Sequence, residues 1–315
     1  MADTLYLVIP CYNEEEVLPE TIRRLTGKMN RMMEKGLISR RSRMAFVDDG
    51  SRDRTWALIQ AAHGENHLVS GIKLAHNRGH QNALLAGLMT VSEECDMAIS
   101  LDADLQDDVE VLDRFVEKYQ EGCDIVYGVR SSRQTDTAFK RSTALGFYKV
   151  MEKLGVEIVY NHADYRLMSR RALKALGEYR EVNLFLRGIV PTIGFRTGTV
   201  EYERSERFAG TSKYPLKKML SFAWDGVTSF SVKPLQLIIS LGVTLCVVAA
   251  LGILAALICL FCGLPAASWP WILTSVWMAC GVQLLCLGVA GAYIGKIYQE
   301  VKARPRYLVE EFLDR

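Results

Sequence analysis

The sequence predicts an α/β domain on a mainly parallel sheet, followed by an apolar hairpin long enough to cross a membrane twice. Three observations carry that reading. Strand-like and helix-like segments alternate with short connections up to about residue 130, the pattern of a sheet covered by helices on both faces. The carboxyl ends of the first four strand segments all carry polar clusters, and that is where open α/β sheets form their binding crevice. From Pro234 to Gly295 there is no Asp, Glu, Lys, Arg or His. As helix that stretch is roughly 90 Å long, about two crossings of a ~30 Å hydrocarbon core.

Taken in order, Leu5–Ile9 reads as a strand stopped by Pro10, and Glu14–Met33 as a helix. Met44–Val47 is a second strand with Arg54–Ala62 as its helix, and Val69–Leu74 a third with Gln81–Val91. Met97–Leu101 is the fourth strand, followed by a helix over Val109–Tyr119, and a fifth strand starts at Ile125–Tyr127. Between Tyr214 and Pro234, Leu216, Met219, Leu220, Phe222 and Ala223 mix with Lys217, Lys218 and Asp225. That mixture suits an amphipathic helix along a bilayer surface, and equally an ordinary docking helix. Gly263-Leu264-Pro265 and Trp269-Pro270-Trp271 divide the apolar stretch into 235–262 and 271–295. Lys213, Lys217, Lys218 and Lys233 precede it and Lys296, Lys302, Arg304 and Arg306 follow it. The positive-inside bias therefore puts both ends in the cytoplasm. Met1-Ala2-Asp3-Thr4-Leu5 has no basic leader region, so no cleaved signal peptide is expected.

The composition excludes several classes. With 38 Lys and Arg against 36 Asp and Glu, the net charge of +2 gives no nucleic-acid signal. Five of the eight cysteines lie in the apolar hairpin, and Cys11, Cys95 and Cys123 lack metal-ligand spacing. No G-x-G-x-x-G follows the first strand, and neither a P-loop nor a G-x-S-x-G elbow is present.

The fourth strand leads into Asp102-Ala103-Asp104-Leu105-Gln106-Asp107. On an extended backbone, Asp102 and Asp104 would project from one side. Two such carboxylates repel unless a cation lies between them, and Mg²⁺ commonly takes one or two carboxylates together with substrate phosphates. An acidic turn opening the next helix would use the same residues. Asp49-Gly50-Ser51 likewise makes a good turn, with Ser51 or Asp53 suited to cap a helix. Each cluster alone fits turn chemistry; four of them on one sheet edge fit a site.

The pieces Val8-Ile9-Pro10-Cys11-Tyr12-Asn13-Glu14, Val47-Asp48-Asp49-Gly50-Ser51-Arg52-Asp53, Asn77-Arg78-Gly79-His80-Gln81 and Asp102–Asp107 together resemble glycosyltransferase family 2, which has the GT-A fold. Ala163-Asp164-Tyr165-Arg166-Leu167, the run from Arg204 to Tyr214 and the apolar hairpin narrow the likeness. They resemble the polyprenyl-phosphate glycosyltransferases, relatives of dolichyl-phosphate mannose synthase. The resemblance implies a catalytic GT-A domain over residues 1–213, an interface helix over 214–233, two membrane helices over 234–295 and a cytoplasmic tail over 296–315. It implies that Pro10, Tyr12, Asn13, Glu14, Asp48, Asp49, Gly79 and Asp102 hold the donor nucleotide. Asp104 and Gln106, with Asp102, would bind Mg²⁺ or Mn²⁺. Asp164 would lie near sugar and acceptor, while Arg204, Arg207, Ser212 and Lys213 would grip the acceptor phosphate, with Arg207 also serving catalysis.

The implied reaction passes a sugar from a nucleotide-sugar to undecaprenyl phosphate at the cytoplasmic membrane face, with a flippase and an envelope glycosyltransferase downstream. UDP-glucose is the first donor expected; UDP-N-acetylglucosamine, GDP-mannose and modified arabinose serve relatives. A phosphate monoester with a second pKa near ~6 is already largely dianionic at neutral pH, so Asp164 is expected to orient rather than abstract a proton. Direct attack at the anomeric carbon would invert it. A processive polysaccharide synthase would carry Q-x-x-R-W, and none of the five tryptophans follows an arginine. A non-catalytic nucleotide-sugar-binding adaptor has no need of the paired aspartates. Gly288-x-x-Gly291-x-x-x-Gly295 could pack helices within one chain or between copies.

Overall fold

The computed structural model describes residues 2–130, 162–203 and 269–314, with isolated positions between 235 and 251. Strands β1 (Leu5–Cys11), β2 (Arg43–Asp48), β3 (Val69–Leu74) and β4 (Met97–Ser100) alternate with helices α1 (Leu18–Glu34), α2 (Thr55–Glu65) and α3 (His80–Val91). A short 3₁₀ turn at Val109–Val111 leads into α4 (Leu112–Gln120) and β5 (Ile125–Arg130). Then come β6 (His162–Ser169), α5 (Arg170–Gly177), α6 (Leu186–Thr192) and β7 (Thr197–Tyr202). The chain ends with the long α7 (Trp269–Lys302) and β8 (Val309–Leu313).

The sheet order is β7-β5-β6-β4-β1-β2-β3-β8. The sheet is mixed rather than simply parallel, because β6 and β8 run against the other six strands. β1 lies in the middle, and its side chains alternate with period 2. Leu5, Leu7 and Ile9 join one core with α1, α2 and α4; Tyr6 and Val8 join a second with α3, α5 and α6. Burial on both faces explains why these strands read as unbroken apolar runs. Pro19 near the start of α1 moves that helix to begin at Leu18, four residues after the expected Glu14.

One feature differs from the expectations. The C-terminal stretch, expected as a tail, places β8 antiparallel on the outer edge of β3, pairing Gly71 with Leu313 and Ile72 with Phe312. Its alternation is too short and too charged to stand out in the sequence. As for the membrane hairpin, among the described residues one helix is long and apolar enough to cross a membrane, over Gly281–Lys302 within α7. Most of the first expected crossing and all of 214–233 lie outside the described residues.

Candidate active site

The site forms where β4, β1, β2 and β3 end side by side. At the β1 end, Pro10 is buried in the strand, and Tyr12, Asn13 and Glu14 make the turn toward α1. The turn after β2 is stitched to it. Asn13 N–H donates to Ser51 Oγ at 3.0 Å, Arg52 N–H donates to Asn13 Oδ1 at 2.9 Å, and Glu14 N–H donates to Thr55 Oγ1 at 2.9 Å. Asn13 itself is left-handed (φ 53°), a conformation Asn tolerates better than most residues.

Asp48 and Asp49 are both buried. Burial raises the Asp48 pKa, opposed by the hydroxyl and N–H of Ser51. Asp49 spends its two carboxylate oxygens on the β3–α3 loop, accepting from Arg78 N–H at 2.7 Å and Gly79 N–H at 2.9 Å. Burial also raises its pKa, and those two N–H groups oppose the rise. Gly50 between this pair and Ser51 has φ +66°, and a Cβ there would lie 2.6 Å from Asn77 N. Only glycine meets both conditions.

The Asp102–Asp107 segment is a turn, not an extended continuation of β4, so Asp102 and Asp104 are brought together by loop geometry rather than by strand alternation. Leu105, a non-glycine residue at φ 57°, is held there by burial. Neighbours pin the loop: Thr21 Oγ1 donates to Ala103 O at 2.8 Å, Tyr202 OH to Asp107 Oδ1 at 2.7 Å and Tyr165 OH to Asp108 O at 3.0 Å.

Because β6 runs antiparallel to β4 with Ser100 opposite Arg166, Asp164 lies at the end of β4, near enough to Asp102 that one imidazole approaches both. Two cations complete the cluster. Arg187, from the first turn of α6, forms a fork with Asp164: Nε to Oδ1 at 3.1 Å and Nη2 to Oδ2 at 2.9 Å. His80 Nε2, at the start of α3, lies 3.6 Å from Asp102 Oδ1 and 3.7 Å from Asp164 Oδ2. Burial disfavours the imidazolium, but the Asp164 and Asp102 carboxylates outweigh it and raise the His80 pKa to about 9. Burial likewise works against the Asp164 carboxylate, yet Arg187 and His80 hold it well below the usual carboxylate range.

Asp102 has the opposite balance. Burial lifts its pKa, His80 and Arg187 oppose the rise, and the like charges of Asp164 and Asp104 add to it. Asp104 is almost fully covered and accepts from Gln106 N–H at 3.2 Å. Asp102, Asp104 and Gln106 supply only oxygen ligands beside surplus negative charge, which fits a hard divalent cation such as Mg²⁺ or Mn²⁺. Among the described residues, no three His, Cys, Asp or Glu side chains converge as a self-sufficient metal cluster. An ion held here would need oxygens from a bound phosphate to complete its shell.

Arg204, Arg207, Ser212 and Lys213 lie outside the described residues. Sequence reasoning placed His80 only within a polar cluster and missed Arg187 altogether. No short motif marks Arg187, whose partner is 23 positions away on a strand. Its backbone placement depends on α3, where Gln81 Oε1 accepts from Leu186 N–H at 2.8 Å.

Residues 6–177 match the family described as Glycosyl transferase family 2. A glycosyltransferase of Bacillus subtilis (strain 168), YkoT, is 54% identical over 306 residues, 97% of this chain and 91% of that protein. The bactoprenol glucosyl transferase of Shigella phage SfX is 39% identical, covering 96% of this chain and 98% of its own. The prophage bactoprenol glucosyl transferase homolog of Escherichia coli (strain K12) is 38% identical over 96% of this chain and 97% of its own. Strand-end aspartates on a shared sheet edge, a family match over more than half the chain and near-full-length relatives agree: the chain belongs to glycosyl transferase family 2.

Proposed function

We propose that this protein, anchored by two membrane helices over 234–295, transfers glucose from UDP-glucose to a polyprenyl phosphate at the cytoplasmic face of the membrane. The observation that carries the reading is the 38–39% identity to bactoprenol glucosyl transferases across nearly the whole chain, apolar segment included. The acidic cluster and the apolar α7 supply the two chemistries such a reaction needs.

In this reading the donor nucleotide lies along Pro10, Tyr12, Asn13, Glu14, Asp48, Asp49 and Gly79, with Asp102 at its diphosphate. Asp102, Asp104 and Gln106 hold the divalent cation, whose chemistry is to neutralise charge on the departing diphosphate. The ionised Asp164, gripped by Arg187, is a poor proton acceptor. That suits an acceptor phosphate that arrives already deprotonated. Asp164 then orients groups at the anomeric carbon, and direct attack inverts it. Arg204, Arg207, Ser212 and Lys213 receive the phosphate headgroup and offset repulsion between the two anionic substrates.

The test uses purified full-length protein in nanodiscs with Mg²⁺ or Mn²⁺, undecaprenyl phosphate and a panel of labelled nucleotide-sugars. Labelled glucosyl lipid with a β anomeric linkage is expected from UDP-glucose. The Asp104→Asn variant should lose at least about 100-fold of the rate, the scale for removing one fixed group that stabilises developing charge. No transfer from any donor, or normal transfer by Asp104→Asn, overturns the reading.

A further inference from the structure

The last turn of α7 is bonded to the catalytic domain through one carboxylate. Glu300 Oε2 accepts from Val182 N–H at 2.8 Å, and Oε1 accepts from Asn183 N–H at 2.8 Å and from Asn183 Nδ2 at 2.6 Å. Asn183 Nδ2 also lies 3.4 Å from Lys296 O, one turn earlier. Beyond the helix, Arg306 Nη1 donates to Tyr179 O at 2.8 Å, at the other end of the same loop. Ala75 N–H then donates to Leu308 O at 3.0 Å as the chain joins the sheet edge.

A carboxylate in the last turn of a helix faces the negative end of the helix dipole and is unfavourable there without donors. Three donors from one loop offset that cost. The loop leads into α6, whose Arg187 grips Asp164, but among the described residues none of 179–183 itself bonds to Asp102 or Asp164.

One exposed face of α7 is apolar into its last turn. Ile294, Ile297 and Tyr298 are exposed, and Val301, next to Glu300, is 77% exposed. Lys302 Nζ lies 4.2 Å from the centre of the Tyr298 ring, pairing an aromatic with a basic residue as helix ends do at a membrane surface. Exposed apolar side chains thus reach the same helical turn as the clamp, where exposed Gln299 and Lys302 flank it.

We propose that Glu300 is a positioning residue that sets the height of the catalytic domain on the bilayer, by locking the 179–183 loop to the end of a membrane-crossing helix. This rests on the proposed lipid-phosphate acceptor. A headgroup confined to the membrane surface reaches the site only if the site stands at a fixed height. A short isoprenyl phosphate free in solution has no such requirement.

The experiment compares wild type, Glu300→Gln and Asn183→Ala in nanodiscs of phosphatidylethanolamine and phosphatidylglycerol. Hydrogen exchange of the peptide spanning 180–185 should accelerate about tenfold in Glu300→Gln, as expected for losing charge-assisted bonds. The KM for bilayer-embedded undecaprenyl phosphate should rise about tenfold, while that for a short water-soluble isoprenyl phosphate and the affinity for UDP stay within about twofold. Asn183→Ala should shift the same quantities in the same direction by less, and serves if Glu300→Gln fails to fold. Unchanged exchange, or equal loss with both acceptors, overturns the proposal. If wild type glycosylates neither acceptor while binding UDP, the proposed function fails instead, and the exchange arm still decides whether Glu300 holds the loop.

Discussion

Arg187 carries the sharpest consequence of the site geometry, because its planar fork is matched to both oxygens of Asp164. Arg187→Met should lower kcat about 100-fold with a small change in donor affinity, and Arg187→Lys should recover only part of it. Steady-state kinetics with lipid acceptor checks this. A second ion cluster lies away from the chemistry. Lys28, 3% exposed, sits 2.9 Å from Asp113 and 3.3 Å from Glu110. Burial opposes the Asp113 charge, but Lys28 and Lys35 outweigh it and depress the pKa. A depressed carboxylate stabilises the fold above its unfolded value near ~3.9 and loses that contribution as pH falls through the folded value. Asp113→Asn should therefore lower stability at neutral pH by about 2 kcal/mol, below the usual range for a broken buried pair because Glu110 remains and Asp113 is partly solvated. The gap from wild type should close in acid, measured by denaturant melts between pH 2 and 7. At this scale the Asp102/Asp104 pair was readable because its residues are close in the chain. Arg187 was not, because nothing near it in sequence hints at Asp164.

Elements set the distances between these residues. Helix α3 carries His80 and Gln81 into the site and crosses the sheet at Gly87, where a Cβ would come within 2.5 Å of Val8 Cγ1 and 2.6 Å of Val47 Cγ2. Both valines are fully buried, so neither has room to move. Gly87→Ala should destabilise by about 1–2 kcal/mol, as overpacking outweighs the helix propensity gained. A fall of several degrees in the melting midpoint, with reduced transfer as α3 shifts, is expected. The first five strands and four helices were legible as alternating apolar and polar segments, with ends displaced by a few residues. The elements from β6 onward that complete the site were not. β6 is addressed by its antiparallel register with β4, a pairing that no local pattern encodes. α6 is a seven-residue helix with Pro191 inside it, too short to show a period.

At the scale of the whole molecule, the chain leaves the sheet and comes back to it. The described part of α7 ends against the 179–183 loop, and β8 then joins β3, so the C-terminal end of the apolar helix and the catalytic domain share one side of any membrane that α7 crosses. In sealed inside-out vesicles of a cysteine-free background, Arg52→Cys and Arg304→Cys should both react with an impermeant maleimide, and Ala266→Cys should react only after permeabilisation if two helices cross. Labelling of all three from one side would remove the hairpin. Chelation by EDTA should abolish sugar transfer, with recovery on adding Mn²⁺ or Mg²⁺ and no change in the melting midpoint beyond about 2 °C without nucleotide, because a site completed by substrate phosphates contributes little to the free fold.

Local chemistry was enough to announce an α/β fold, the acidic turn after β4 and an apolar span, since propensity, turn geometry and hydropathy act over a few neighbouring residues. The company those residues keep was settled only by folding. An antiparallel strand brings Asp164 to Asp102, a short helix delivers Arg187, and a helix-end carboxylate fastens the apolar α7 to the 179–183 loop. Each joins positions far apart along the chain, and such contacts depend on register and packing, which become defined only when the sheet is assembled.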